Sequence, residues 1–551
     1  MAAETARPAW PFGRSGVRPL NGTAAARFAV AASWLSILCT ITIGLLGPSA
    51  MVPALPGPAW HPPYSLGLAP DGHLVIALAA AAIVLGAAGL ATGLLAAERL
   101  PGARTLVAAG CAAAAVLAFL PPSGSADHLN YAAYGRIAVL GHDPYVTVPA
   151  DLPGDPVTGA VEEWRNTPSV YGPVATALQT LAGHIGGESV RLTVFVLALA
   201  NAAAFIATGL FLHHATRGDR GRQRRAALLW IANPLLIYQL AAGMHLDTLA
   251  IAFAVAGLVA CAGVPLGLGV AVKVTAGLVA PGLAWELRRR PARLALVVVT
   301  ATATVLVAYR LAGPHALDQV LNASRSISLA TPWKLVQRAL QALFGPGAYR
   351  PWIQAGSLAL LASLAGLLLR RLLARDRAAR ASGPAGAAGP SGAPEAAGPL
   401  GAAGAAEPSR PVARSSGAEG PGDPAGSALP PATAVAGTPA AVPYQEGAAV
   451  ALALTAAWLF AAPYVLPWYA GLAFALLALV PASALEAFLV AHLTALSLGY
   501  LPARQHGQPA DLGWLVSVVR EWAVPCALIP LTIGLLWWAA RAGARAPRPR
   551  A

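Results

Sequence analysis

Asp127 and His128 stand in the stretch SADHLNYAAYGRIAVLGHDPY, directly after an apolar run that ends AAAAVLAFLPP. A partly buried carboxylate at the edge of a membrane span can take the proton of a hydroxyl acceptor, provided it lies within hydrogen-bond reach. His128 is the neighbouring candidate to assist it. If that hydroxyl displaces a sugar from a phosphate, the departing phosphate needs cationic donors. Arg325, Lys334 and Arg338, in SRSISLATPWKLVQR, are such donors, and the last two have the four-residue spacing that shares a helical face. Each has a plainer reading: an Asp there can cap the helix that follows, and outward cations can touch lipid headgroups.

Further candidates lie elsewhere in the chain. His245 and Asp247 fall in the turn GMHLD between two apolar runs, and Lys273 sits in the middle of GVPLGLGVAVKVTAGLVAPGLAWE. Ionisable groups at membrane depth are costly and tend to be functional. His245 and Lys273 therefore join the phosphate-binding candidates. Tyr131, Tyr145, Trp164, Tyr171, Asp247 and Trp468 are candidates for a sugar path, since aromatic faces are what sugars stack on; Tyr464 and Tyr469 flank Trp468 in PYVLPWY. There is no nucleophile elbow and no Gly-rich phosphate loop after a strand, so a soluble nucleotide-sugar site is not expected. Cys39, Cys111, Cys261 and Cys526 each stand alone in apolar segments and read as small buried hydrophobes. No metal site and no cofactor is expected, and dependence on a divalent cation is left open.

The elements that carry these residues follow from composition. Of the 551 residues 57% are hydrophobic and 11% charged, against about 25% charged in a soluble domain. The apolar residues fall in continuous runs near bilayer-crossing length, which excludes an alternating β-barrel. An all-α polytopic membrane protein follows, with about twelve spans near 28–47, 73–97, 104–122, 191–213, 226–243, 247–263, 293–312, 351–370, 446–463, 466–482, 485–501 and 523–541. The basic start leads into a span without a small-residue cleavage site, so no cleavable leader is expected. The formal charge of +14 does not indicate nucleic acid, because the arginines cluster in a few loops and at the ends. Basic runs at 213–225, 286–293, 370–380 and the tail, set against the uncharged-to-acidic loop 48–72, place both termini on the cytoplasmic side. The segment 263–286 keeps this parity only as a pair of short or re-entrant helices. Residues 129–140 read as a helix lying in the headgroup plane with Tyr131 and Tyr134 as anchors.

Three parts result. Residues 1–373 form a front membrane part with outward loops 123–190 and 313–350; 374–443 is an Ala/Gly/Pro linker too poor in packable surface to fold; 444–551 is a back membrane part.

An outward Asp before a Tyr-rich segment, then GHDPY, WRNTPSVYGP, GMHLD, AVKVTAG and LPWY, resembles the actinobacterial polyprenyl-phosphomannose-dependent α-1,6-mannosyltransferases of lipoglycan synthesis. These are multispan glycosyltransferases of the GT-C class, and the likeness touches most of the chain outside the linker and termini. The resemblance implies an extracytoplasmic reaction at the plasma membrane, a lipid-linked sugar donor, a glycan or glycolipid acceptor, inversion at the anomeric carbon, and Asp127 as the base. Other lipid-linked sugars, arabinose or glucose, remain alternatives, as does a flippase using the same cavity without bond formation.

Overall fold

The computed structural model describes residues 22–318, 326–381, 446–504 and 506–541. The proposed linker 374–443 therefore lies largely outside the described residues, as does Arg325. The regular structure of the described residues is helical, with no strand ladder among them. In chain order the helical runs are α1 (Gly22–Leu46), α2 (Gly72–Leu95), α3 (Ala103–Ala118), α4 (Asp127–Val139), α5 (Pro173–Gly186), α6 (Val190–Ala215) and α7 (Arg220–Ala242). There follow α8 (Asp247–Ala260), α9 (Gly263–Val272), α10 (Val274–Leu287), α11 (Pro291–Ala312), α12 (Pro332–Phe344) and α13 (Arg350–Ala381). Last come α14 (Glu446–Ala461), α15 (Pro467–Leu477), α16 (Leu485–Gly499) and α17 (Ala510–Ala540).

Among the described residues, seven helices are long and apolar enough to cross a membrane by length and composition: α1, α2, α6, α7, α11, α13 and α17. The five other expected spans appear as shorter apolar helices, α3, α8, α14, α15 and α16. A proline follows closely after α3, α14, α15 and α16, at Pro121, Pro463, Pro481 and Pro502, and α8 ends on Cys261 in a left-handed conformation. Along α11, Leu296, Val298, Val299, Leu306 and Val307 are all exposed, the face a lipid tail would cover.

Lys273 divides the segment 263–286 as expected. It stands in extended backbone between α9 and α10, the second of which opens as a 3-10 turn.

The helix at 129–140 is present as α4, but it does not lie exposed in a headgroup plane. His128 to Gly135 are buried in unbroken succession, Tyr131 and Tyr134 included. Small residues cause this. A Cβ on Gly135 would stand 2.1 Å from the Gln179 carbonyl oxygen, so only glycine lets α4 cross α5 this closely. Arg136 of the same helix is paired with Asp155 at 2.7 Å. The cysteines also differ from expectation: Cys39, Cys111 and Cys261 are half-buried, and Cys526 is exposed.

Candidate active site

A cavity of about 900 Å³ opens among α4, the segment 164–172, the break at Lys273, α12, the start of α13, and the turn between α14 and α15. One stripe of α4 forms its floor: Asp127, Asn130, Tyr131 and Tyr134, the i, i+3, i+4, i+7 positions of one helical face. Asp127 does not cap its helix. Ala126 holds the cap position without a side-chain bond, and the Asp127 backbone N–H donates to Ser125 Oγ at 3.1 Å. Its carboxyl is thus left for the cavity, with the side chain 17% exposed.

The carboxyl faces His245 rather than His128. Asp127 Oδ2 lies 3.6 Å from His245 Nδ1, and the Tyr131 hydroxyl is 3.5 Å from the same nitrogen. The His245 ring stacks on Trp468 at 3.6 Å and 12°. The local chain builds this position: α7 ends in a π-helical turn, Ile237–Ala242, and Met244 adopts a left-handed backbone. Such π turns recur at functional sites. Ser123 N–H donates to the Ala242 carbonyl at 2.9 Å, tying the entry to α4 to this turn. Burial, and then the neighbouring Glu163, raise the Asp127 carboxyl to about 7 against the opposing pull of Lys273. Burial, Lys273 and His128 hold His245 well below the ordinary imidazole range, so it is neutral. A carboxyl tuned close to neutrality beside a neutral imidazole suits proton removal from a hydroxyl.

Lys273 closes the inner end. Its Nζ lies 2.7 and 2.9 Å from the two oxygens of Asp247, the first residue of α8. It also sits 3.9 Å over the Tyr469 ring and 5.7 Å from the Tyr171 ring. The extended break lets the lysine reach in, because helix geometry would turn it along the rod. Gly172 N–H donates to the Val272 carbonyl at 2.9 Å, and a Cβ at Gly172 would meet the Ala271 carbonyl at 2.2 Å. That close approach puts Tyr171 beside Lys273, where its hydroxyl bonds the Tyr131 hydroxyl at 2.9 Å.

Lys334 faces the cavity from α12, its Nζ donating to Gln337 Oε1 at 2.9 Å, and Arg350 lines the same wall. Trp164 lines the opposite side in a left-handed conformation, φ 59°. Of the predicted residues, Asp127, Tyr131, Trp164, Tyr171, Lys273, Lys334 and Trp468 come together on this cavity, with His245 and Asp247 directly behind them. His128, Arg338 and Tyr145 do not. His128 is fully buried and points into the helix packing; neighbouring helical positions diverge by about 100°. Arg338 is turned to Glu521, with which it pairs, and lies 4.7 Å over the Trp522 ring. Tyr145 packs with Tyr309 and bonds Thr176 Oγ1 at 2.8 Å. Asn130, Trp458, Tyr500 and Arg350 line the cavity without having been singled out, and Tyr134, read as a membrane anchor, lines it too. Counting one and two turns along the helix from Asp127 would have found Asn130 and Tyr134.

Fold and cavity together define a polytopic, GT-C-like helical membrane protein with an acid on the floor of an aromatic chamber. Residues 34–289 match the family described as alpha-(1->6)-mannopyranosyltransferase, N-terminal domain. The chain is 27% identical over 176 residues to alpha-(1->6)-mannopyranosyltransferase A of Corynebacterium glutamicum, covering 31% of this chain and 36% of that protein. It is 35% identical over 147 residues to a probable alpha-(1->6)-mannopyranosyltransferase of Mycolicibacterium smegmatis, 26% of each chain. Against alpha-(1->6)-mannopyranosyltransferase A of Mycobacterium tuberculosis it is 28% identical over 178 residues, 30% of this chain and 33% of that one. The matched stretches thus span between 26% and 36% of these relatives' own lengths. No solved structure matches the chain. The likeness read from the motifs is present in the part of the chain that holds Asp127, GMHLD and Lys273.

Proposed function

We propose that this protein transfers mannose from a polyprenyl-phosphate mannose to a hydroxyl of a glycan or glycolipid acceptor, through an α-1,6 linkage. The observation that carries the reading is Asp127: a carboxyl raised to about 7, freed from capping, at the floor of an aromatic cavity with Lys334 and Arg350 on another wall. Asp127 takes the proton of the acceptor hydroxyl. The oxygen attacks the anomeric carbon, and the bond from that carbon to the phosphate oxygen breaks. The polyprenyl phosphate leaves with the electron pair, and the configuration inverts. Lys334 and Arg350 hold the phosphate charge as it develops; Tyr131, Trp164, Tyr171 and Trp468 hold the sugars.

In this reading Lys273 is not a phosphate ligand. Its charge is spent on Asp247 and the Tyr469 face, and it positions Asp247 and the inner wall. His245 acts through its contact with Asp127. The cavity opens on the extracytoplasmic side of the plasma membrane, both termini lie in the cytoplasm, and the lipid tail rests between helices in the bilayer.

Membranes carrying the Asp127→Asn variant, supplied with labelled polyprenyl-phosphate mannose and an oligomannoside, should lose transfer by about 10²–10⁴-fold at unchanged expression. Turnover retained at the wild-type level would remove Asp127 from the role of base. Parallel assays with lipid-linked arabinose and glucose test the sugar, and sugar translocation without transfer would instead favour a flippase.

A further inference from the structure

α12 carries its polar side chains inward and its apolar ones outward. None of its thirteen residues is fully buried. Lys334, Gln337, Arg338 and Gln341, at i, i+3, i+4 and i+7, form one stripe, and each is bonded inside the protein. Lys334 and Gln337 bond one another on the cavity wall, Arg338 pairs with Glu521, and Gln341 Nε2 donates to the Gly347 carbonyl at 2.8 Å. Val336, Ala339 and Leu343 lie half a turn round the rod from that stripe and are exposed. Leu343 is 75% and Phe344 71% exposed. A helix on the surface of a water-soluble protein turns the other way, apolar stripe to the core.

The start of α17 repeats the arrangement. Arg520 donates to the carbonyls of Gly499, Tyr500 and Pro502, and Glu521 turns to Arg338. Trp514, Val518 and Trp522 are each left half exposed. Arg338 also lies 4.7 Å over the Trp522 ring, so the two segments stand side by side.

Their neighbours say what covers this surface. α12 is about 20 Å long, too short for the roughly 30 Å of a hydrocarbon core. In the chain it stands between α11 and α13, two helices long and apolar enough to cross a membrane. Leu311 near the end of the first and Trp352 near the start of the second are exposed. α17 is a third such helix and carries its exposed tryptophans near its start. Exposed apolar faces that run on into spans and are edged by tryptophan mark the polar boundary of a bilayer, where short amphipathic helices lie.

We propose that α12 and the first turns of α17 form a platform set into the leaflet on which the cavity opens, resting on lipid through Val336, Leu343, Phe344, Trp514, Val518 and Trp522. The headgroup-plane position expected of residues 129–140 belongs to this platform instead. Lys334, on the reverse of α12, then stands at headgroup depth, and a phosphate carried on a lipid reaches it without leaving the bilayer. That consequence for donor entry rests on the transfer reading above; the contact with lipid does not.

The test is spin labelling of the full-length protein in nanodiscs of phosphatidylcholine and phosphatidylglycerol. With Cys39, Cys111, Cys261 and Cys526 replaced by alanine, single labels are placed by Leu343→Cys and Trp514→Cys. Val299→Cys, on the exposed face of α11, is the lipid reference, and Gly154→Cys, in a turn with open space, is the water reference. Collision with oxygen and with a water-soluble nickel chelate should place the Leu343→Cys and Trp514→Cys labels about 5–10 Å into the headgroup and acyl boundary, shallower than the Val299→Cys label. Labels that meet the chelate as readily as the Gly154→Cys label would put the face in water. Labels shielded from both reagents would mean that protein covers it, a second copy or another segment. Either result overturns the assignment.

If the cysteine-free chain fails to fold, brominated lipid decides on the native one. Its quenching of tryptophan emission should shrink on Trp514→Phe and on Trp522→Phe, and an unchanged quenched fraction in both overturns the assignment. Mannose transfer is assayed on wild type in the same nanodiscs. Labels at lipid depth without transfer keep the platform and remove the transfer reading.

Discussion

The chemistry of a single carboxyl sets the pH behaviour. The Asp127 carboxyl is raised to about 7, first by burial and then by Glu163. The active form of a base is the unprotonated one, so a raised value moves the loss of activity upward in pH. Below that point the carboxyl binds its proton and cannot accept another. Profiles of kcat/KM for the acceptor should therefore fall tenfold per unit below about pH 7, where an ordinary aspartate would hold its activity to near pH 4. A flat profile down to pH 5 would mean that another group removes the proton. Lys273 offers a second case, since it is 14% exposed and its partner Asp247 is 6% exposed. Lys273→Met leaves that carboxylate buried and uncompensated, at a cost of about 3–5 kcal/mol, and the further change Asp247→Leu should return much of it. Thermal unfolding in detergent measures both. At this scale the sequence is readable where a residue type is rare in its setting: Asp127, Lys273 and Lys334 stand out against an apolar background. It misleads where direction decides. Lys334 and Arg338 share a face of α12, but spacing cannot reveal that Glu521, from 183 residues further on, draws the arginine away.

The contact between α4 and α5 is an element-level device. Gly135 lets the helices meet backbone to backbone, and Gly183 faces it, its added Cβ only 3.1 Å from the Gly135 carbonyl. Gly135→Val should push α5 away, destabilise the protein by about 1–3 kcal/mol, and lower transfer by disturbing the Asp127–Tyr131 stripe. Gly154→Ala, in a turn with open space around the added Cβ and no left-handed backbone, leaves the crossing untouched and serves as the control. A Gly135→Val protein with unaltered Tm and activity would show that the crossing tolerates a wider gap. Helix existence is legible here, because long apolar runs admit little else. The break at Lys273 is legible as well, because a lysine among glycines and prolines cannot sit in an uninterrupted span. The burial of α4 is not. Tyr, Arg and His suggest an exposed amphipathic surface, and only the partner helix reveals that Ala132, Ala133 and Gly135 form a packing face.

On the scale of the whole molecule, the cavity draws on chain segments far apart. Asp127 and Lys273 come from the front part, while Trp458, Tyr464, Trp468, Tyr469 and Tyr500 follow residue 446. Arg504 joins the same two parts, pairing with Glu162 and donating to the carbonyls of Ser49 and Val52. Two fragments made by a break between residues 381 and 446 should each lack transfer, and their co-expression should restore it to within about tenfold of the intact chain, given the extent of the shared core. Activity in the front fragment alone would contradict a chamber built from both. Such long-range closure is beyond what periodicity can tell, since it depends on which faces meet. It also bears on how substrate choice can diverge. The family match ends at residue 289, and Asp127, His245, Asp247 and Lys273 lie inside it. Lys334, Arg350 and the aromatic side chains Trp458, Tyr464, Trp468, Tyr469 and Tyr500 lie outside it. If the transfer reading holds, changes after residue 289 can alter which lipid or glycan is admitted while Asp127, His245 and Lys273, all inside the matched stretch, stay as they are.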